Sequence, residues 1–206
     1  MSDTGRLGRA IKATALALAW PGRVANWAVL FIMIFTLAAV VASQLRMGMI
    51  WNWGYDLPVL GSRLTLAGLT ELQWHAFAIM VMFGGAFAAV HDRHVRVDIL
   101  YGRFSQRTRM IVNILGHLCL LIPFCLALIY FSYFYVERAF FTGERSDYGG
   151  LRDRWVIKSA IPIGLGVLLA VAVLQLINDL ATLFGFLKRS ALEIDEDETP
   201  SEEKRP

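Results

Sequence analysis

Glu71 and His75 stand four residues apart in an apolar stretch, a spacing that puts a carboxylate and an imidazole on one helix face. Such a pair can relay protons or simply close on itself at the membrane surface, and nearness to interfacial water favours the second. Asn113 and His117 have the same spacing farther along, and hydrogen bonding to a neighbouring helix is their expected role. His91, His94 and Asp98 could be read as metal ligands on one turn. Arg93 and Arg96 interleave with them and would repel a cation, so a solvated hinge is the better reading. His75 and His117 could be axial haem ligands. Their places near opposite ends of two apolar stretches leave about 15 Å of mismatch in depth, whereas one iron needs both at one level. Cys119 and Cys125 are six apart on a helix, point in different directions and are not expected to pair. No Ser/His/Asp set, phosphate-binding Gly loop, dinucleotide fingerprint or HExxH helix appears, so no catalytic residue, cofactor or metal is assigned.

The elements that must position these residues are membrane helices. The 206-residue chain is 56% hydrophobic with mean hydropathy +0.51, more apolar surface than a soluble domain of this size can bury. Crossing the hydrocarbon takes roughly 20 apolar residues in a helix, which satisfies every backbone N–H and C=O without water. Stretches near Val24 to Leu45, Leu72 to Val90, Met110 to Val136 and Ile161 to Leu187 qualify. The expectation is an all-α integral membrane protein with four transmembrane helices over residues 24–187. An N-terminal cytoplasmic or interfacial segment, 1–23, would precede them, retained and able to lie on the surface as a short amphipathic helix. An acidic disordered cytoplasmic tail, 188–206, would follow. Pro123 removes a donor inside the third stretch, frees the Cys119 carbonyl and favours a kink, while Pro162 sits where a first helical turn tolerates it.

Lys and Arg near the helix ends set orientation. Arg6, Arg9, Lys12 and Arg23, the hinge run from Arg93 to Arg109, and Lys188 with Arg189 outnumber the cations of the other two loops. Both termini are therefore expected in the cytoplasm. No internal or inverted repeat marks a midplane transport site, and four spans look too few for an autonomous transporter. Small residues at Gly84, Gly85, Ala88 and Ala89 would let another backbone approach, either within the chain or from a partner. Gly164 and Gly166 form a weaker patch of the same kind.

The run from Glu71-Leu72-Gln73-Trp74-His75 through Gly84-Gly85-Ala86 to His94-Val95-Arg96-Val97-Asp98 resembles the small membrane subunit of TRAP (tripartite ATP-independent periplasmic) transporters, the DctQ-like family. Gly143-Glu144-Arg145-Ser146, Gly150-Leu151, Trp155, Lys158 and Pro162 are similar to that family's stretch between the third and fourth helices. The resemblance implies a multi-pass protein of the bacterial inner membrane that is not an enzyme and binds neither substrate nor nucleic acid. Its implied partners are a large multi-span TRAP membrane subunit, a periplasmic substrate-binding protein that delivers a small organic anion, and the lipid bilayer. It assigns Glu71, Trp74, Gly84, Gly85, His94, Arg96 and Asp98 to assembly with the large subunit. Arg46, Glu144, Ser146, Trp155 and Lys158 are assigned to periplasmic docking. A loop in which Glu144 and Lys158 merely close on each other is the competing reading, worth only ~0–1 kcal/mol at a surface. Trp51, Trp53 and Tyr55 in the loop from Met47 to Thr70 would suit either an aromatic interface belt or docking. The alternative functions are a haem-carrying membrane anchor of an oxidoreductase and a generic membrane assembly factor.

Overall fold

The computed structural model describes residues 3–91 and 104–185. The chain begins with α1 (Asp3–Ala25) and α2 (Ala28–Gln44), continues through β1 (Met49–Leu57) and β2 (Gly61–Thr65), and enters α3 (Leu66–Val90). After the hinge come α4 (Gln106–Gly116), a π-helical segment (His117–Leu121) and α5 (Ile122–Phe141), which form one continuous rod, and then α6 (Arg154–Leu183). Four stretches, Gly8–Gln44, Leu66–Val90, Arg107–Phe141 and Arg154–Leu183, are long and apolar enough to cross a membrane. Most of their large side chains point outward: α2 alone exposes Phe31, Met33, Ile34, Leu37 and Val41. In water such surface would be costly, and in lipid it is the solvated face.

The helices form an open row rather than a closed bundle. α3 packs between α2 and α6, α5 packs on the far side of α6, and α1 lies against both α3 and α6. Small side chains set these contacts. Ala15 and Ala19 of α1 meet Ala86, Ala89 and Val90 of α3 and Val171 of α6 in the main buried cluster. The N-terminal residues thus form a 23-residue helix with an alanine face set into the bundle. At Gly164 a Cβ would stand 2.7 Å from Met82 Cβ, so this glycine is what lets α6 close on α3. Gln73 Nε2 donates to Thr36 Oγ1 at 2.5 Å and ties α3 to α2.

Two expectations are corrected. The fold is mostly helical rather than all-α, because the aromatic loop forms an antiparallel hairpin in which Met49 pairs with Thr65 and Asn52 with Arg63. Alternation of Trp51, Trp53 and Tyr55 with smaller or polar residues is a period of two, which strands satisfy and helices do not. All four stretches also start earlier than hydropathy places them, and α3 and α6 do so because a side-chain cap holds the start of the first and loop contacts hold Arg154 and Lys158 at the start of the second. Thr65 caps α3 by accepting the Gly68 N–H at 3.0 Å. At Pro123 the perturbation takes the form of a π turn ending just before Ile122, so the helix widens where the proline ring would crowd the Cys119 carbonyl.

Candidate functional site

The hairpin and the loop from Thr142 to Asp153 lie at one end of the row, where α2 and α5 finish and α3 and α6 begin. Two sequence-local devices build this end. α5 stops in a Schellman turn, with the Gly143 N–H on Phe140 O and the Glu144 N–H on Ala139 O. Gly143 takes the required positive φ of 58°, which turns Glu144 back toward the helices. α2 stops the same way, with Arg46 at φ 53°, the Arg46 N–H on Ser43 O and the Met47 N–H on Ala42 O.

Glu71, one turn into α3, receives the returning loop. Its Oε1 accepts from Ser146 Oγ at 2.5 Å and from the Arg154 guanidinium at 3.0 Å, and its Oε2 accepts the Leu151 N–H at 2.7 Å. Arg154 also reaches to 4.0 Å from Glu144, whose other oxygen meets Lys158 Nζ at 2.5 Å. Lys158 lies 3.8 Å from the centroid of the Tyr135 ring, adding a cation–π contact from α5. Only 16% of the Glu71 side chain and 12% of Lys158 remain exposed, so these charges are neutralised by one another rather than by water. Two carboxylates face two cations, and every acceptor on Glu71 serves to hold a loop.

The hairpin is fastened to the same loop. The Arg152 N–H donates to Val59 O at 2.7 Å, the Val59 N–H donates to Asp153 Oδ2 at 3.4 Å, and Thr65 Oγ1 donates to Gly149 O at 3.1 Å. Val59 and Asp153 both have positive φ, 66° and 52°. A β-branched residue there is strained, and it persists because contacts on both sides fix it.

The carboxylate of Glu71 does not pair with His75. The His75 ring instead hydrogen bonds the Glu71 backbone carbonyl through Nδ1 at 2.6 Å, because the carboxylate is turned toward the loop. His117 does serve an interhelical contact, with Gln175 as the bridge, while its Nδ1 meets the Asn113 carbonyl one turn back at 2.7 Å. His117 Nε2 meets Gln175 Oε1 at 3.0 Å, and Gln175 Nε2 donates to Ala89 O at 2.7 Å. Through this bridge His117 sits at the level of Ala89, 14 residues along α3 from His75, or roughly 20 Å at 1.5 Å per residue. The two histidines are thus not placed to share one iron. His91 Nδ1 bonds Phe87 O at 2.9 Å.

Glu71, Glu144, Ser146 and Lys158 therefore come together, while Arg46, Trp74, Gly84, Gly85 and Trp155 take no part in their hydrogen bonds and ion pairs. Trp155 packs edge-on against Phe140, 5.4 Å between centroids. Trp74 is 66% exposed and touches Phe77 edge-on. Arg46 is exposed at the start of the hairpin. A Cβ at Gly84 or Gly85 would meet nothing within 4 Å, so no described residue packs directly against either glycine. His94, Arg96 and Asp98 fall outside the described residues. Sequence reasoning missed Arg154, although its spacing of four from Lys158 placed both on one face of a helix. It also missed the Leu151 N–H, which no side-chain pattern could reveal.

The family of tripartite ATP-independent periplasmic transporters, DctQ component, matches residues 58–182. The chain belongs to the DctQ family. It is a small, multi-pass component of a TRAP transporter, and the family is one of transporter components rather than of enzymes. The DctQ match runs from the tip of the hairpin through nearly all of α6, and so includes Glu71, Glu144, Ser146, Arg154 and Lys158; α1, α2 and β1 precede it. No curated protein matches the chain.

Proposed function

We propose that this DctQ chain scaffolds the large membrane subunit of a TRAP transporter and helps dock the periplasmic binding protein, for ion-gradient-driven uptake of a small organic anion, a carboxylate. In this reading the hairpin end faces the periplasm of a bacterial inner membrane, and both termini face the cytoplasm. The observation that carries it is the Glu71 network. A partner that binds and leaves at every cycle needs a surface that does not reorganise each time, and the network ties the loop to α3, α5 and α6 without using the exposed groups.

Scaffolding is supported by the open row. Its outer helix α2 presents a long apolar face, and the unfilled surface at Gly84 and Gly85 would accept a close-packed helix from the large subunit. Trp74 and the hinge residues His94, Arg96 and Asp98 are assigned to the same assembly, and Arg46 and Trp155 to the docking end. Reconstitution into proteoliposomes tests the function. Uptake should require this chain, the large subunit, the binding protein and an ion gradient together. Uptake by the large subunit and binding protein at an unchanged rate without this chain would reject it, and uptake by this chain alone would do so equally.

A further inference from the structure

Arg63 of β2, Arg145 of the loop after α5 and Arg152 before α6 line a single cavity of about 170 Å³, with Ser62, Ser146 and Gly150 completing its wall. The three arginines come from two separate parts of the chain, which the hairpin-to-loop hydrogen bonds at Val59 and Gly149 hold together. Arg152 Nε would lie 3.2 Å from a Cβ on Gly61, so a side chain there would crowd this stem against the hairpin. Their charge is poorly matched. Asp56 pairs with Arg152 at 2.9 Å, Glu144 is taken by Lys158 and Arg154, and neither Arg63 nor Arg145 has an ion pair among the described residues. Asp147, two residues from Arg145, forms none with it.

We infer that this cavity receives an Asp or Glu side chain of the soluble binding protein. The inference rests on the docking reading above and names the chemistry of the contact. Guanidinium groups grip a carboxylate through two parallel N–H donors, so a cavity lined by three arginines suits that group. The cavity lies on the hairpin and loop, beyond the first turns of α3 and α6, where a soluble partner arrives. Asp56, paired with Arg152 and with its side chain 64% exposed, opposes a densely anionic surface such as a phospholipid headgroup layer and still admits one carboxylate.

The test uses the complete reconstituted transporter, with uptake measured against binding-protein concentration. The double variant Arg63→Gln/Arg145→Gln should raise the half-saturating concentration by at least roughly tenfold, flatten its salt dependence and leave uptake at saturation intact. Should the double variant assemble poorly, each single variant is measured instead and should give a smaller shift of the same kind. An unchanged half-saturation overturns the inference. So does a defect that vanishes when phosphatidylglycerol is replaced by phosphatidylcholine, which would make the cavity a lipid site. Citrate binding to the complex without binding protein, lost in the variant, would make it a free-anion site and overturn it too. A photo-cross-linker at Ser62 separates this inference from the docking reading. Capture of the binding protein with no shift in half-saturation rejects the cavity alone, and no capture from any hairpin position rejects docking itself.

Discussion

Glu71 and Leu151 lie 80 positions apart in the chain, yet a carboxylate oxygen of the first accepts the backbone N–H of the second at 2.7 Å. A side chain at the start of one membrane helix thereby fixes the main chain of the loop that leads into another. Ser146 and Arg154 complete the same carboxylate, so the loop is held at three points by one residue.

Removing that residue should free the loop. Glu71→Ala leaves Ser146 Oγ, the Leu151 N–H and Arg154 without their acceptor, and should cost about 3–5 kcal/mol, as breaking a half-buried charged network does. Glu71→Gln keeps acceptors but loses the charge and should cost less. Thermal unfolding in detergent and hydrogen exchange at 143–153 check this. Equal melting of wild type and Glu71→Ala would show that the network is decorative.

The Glu144 and Lys158 pair should behave as a coupled unit. Either Glu144→Lys or Lys158→Glu leaves two like charges facing each other, whereas the exchange variant carrying both restores opposite signs. A double-mutant cycle should give a coupling of about 1–3 kcal/mol, with incomplete rescue because Lys158 also faces Tyr135. Additive losses would mean that the two side chains are neighbours without interaction.

Two glycines of α6 should respond oppositely to an added methyl group. Gly164→Ala drives a Cβ into Met82 and should destabilise the fold by about 1–3 kcal/mol, while Gly166→Ala meets open space and should be neutral or slightly stabilising. Gly84→Leu is the partner-facing counterpart. It should leave the isolated chain stable and reduce recovery of the complex with the large subunit, measured by co-purification.

Orientation can be read with single cysteines in a chain whose Cys119 and Cys125 have been replaced by serine. A thiol reagent that cannot cross the membrane should label Ser62→Cys and Asp147→Cys from the periplasm, and Arg107→Cys only after the membrane is opened. Periplasmic labelling of Arg107→Cys would invert the proposed topology.

What the sequence determined by itself follows from local physics. Length and apolarity require backbone groups to be satisfied inside helices, so four membrane-length stretches could be counted without a fold, and runs such as Glu144-Arg145-Ser146 carried the family resemblance. Helix-scale spacing put His117 near a neighbouring helix but could not say that Gln175 would be there. The tertiary structure decided the rest. Glu71 and His75 have the spacing of a pair, yet the carboxylate turns to Ser146, Leu151 and Arg154, because three donors from a returning loop outweigh one local imidazole. Arg63, Arg145 and Arg152 are unremarkable as sequence; they share a cavity because contacts at Val59, held at positive φ, and at Thr65 dock the hairpin against the loop. Contacts between segments far apart in the chain depend on where helices pack, and small residues such as Ala15, Ala86 and Gly164 set that packing by what they leave unfilled.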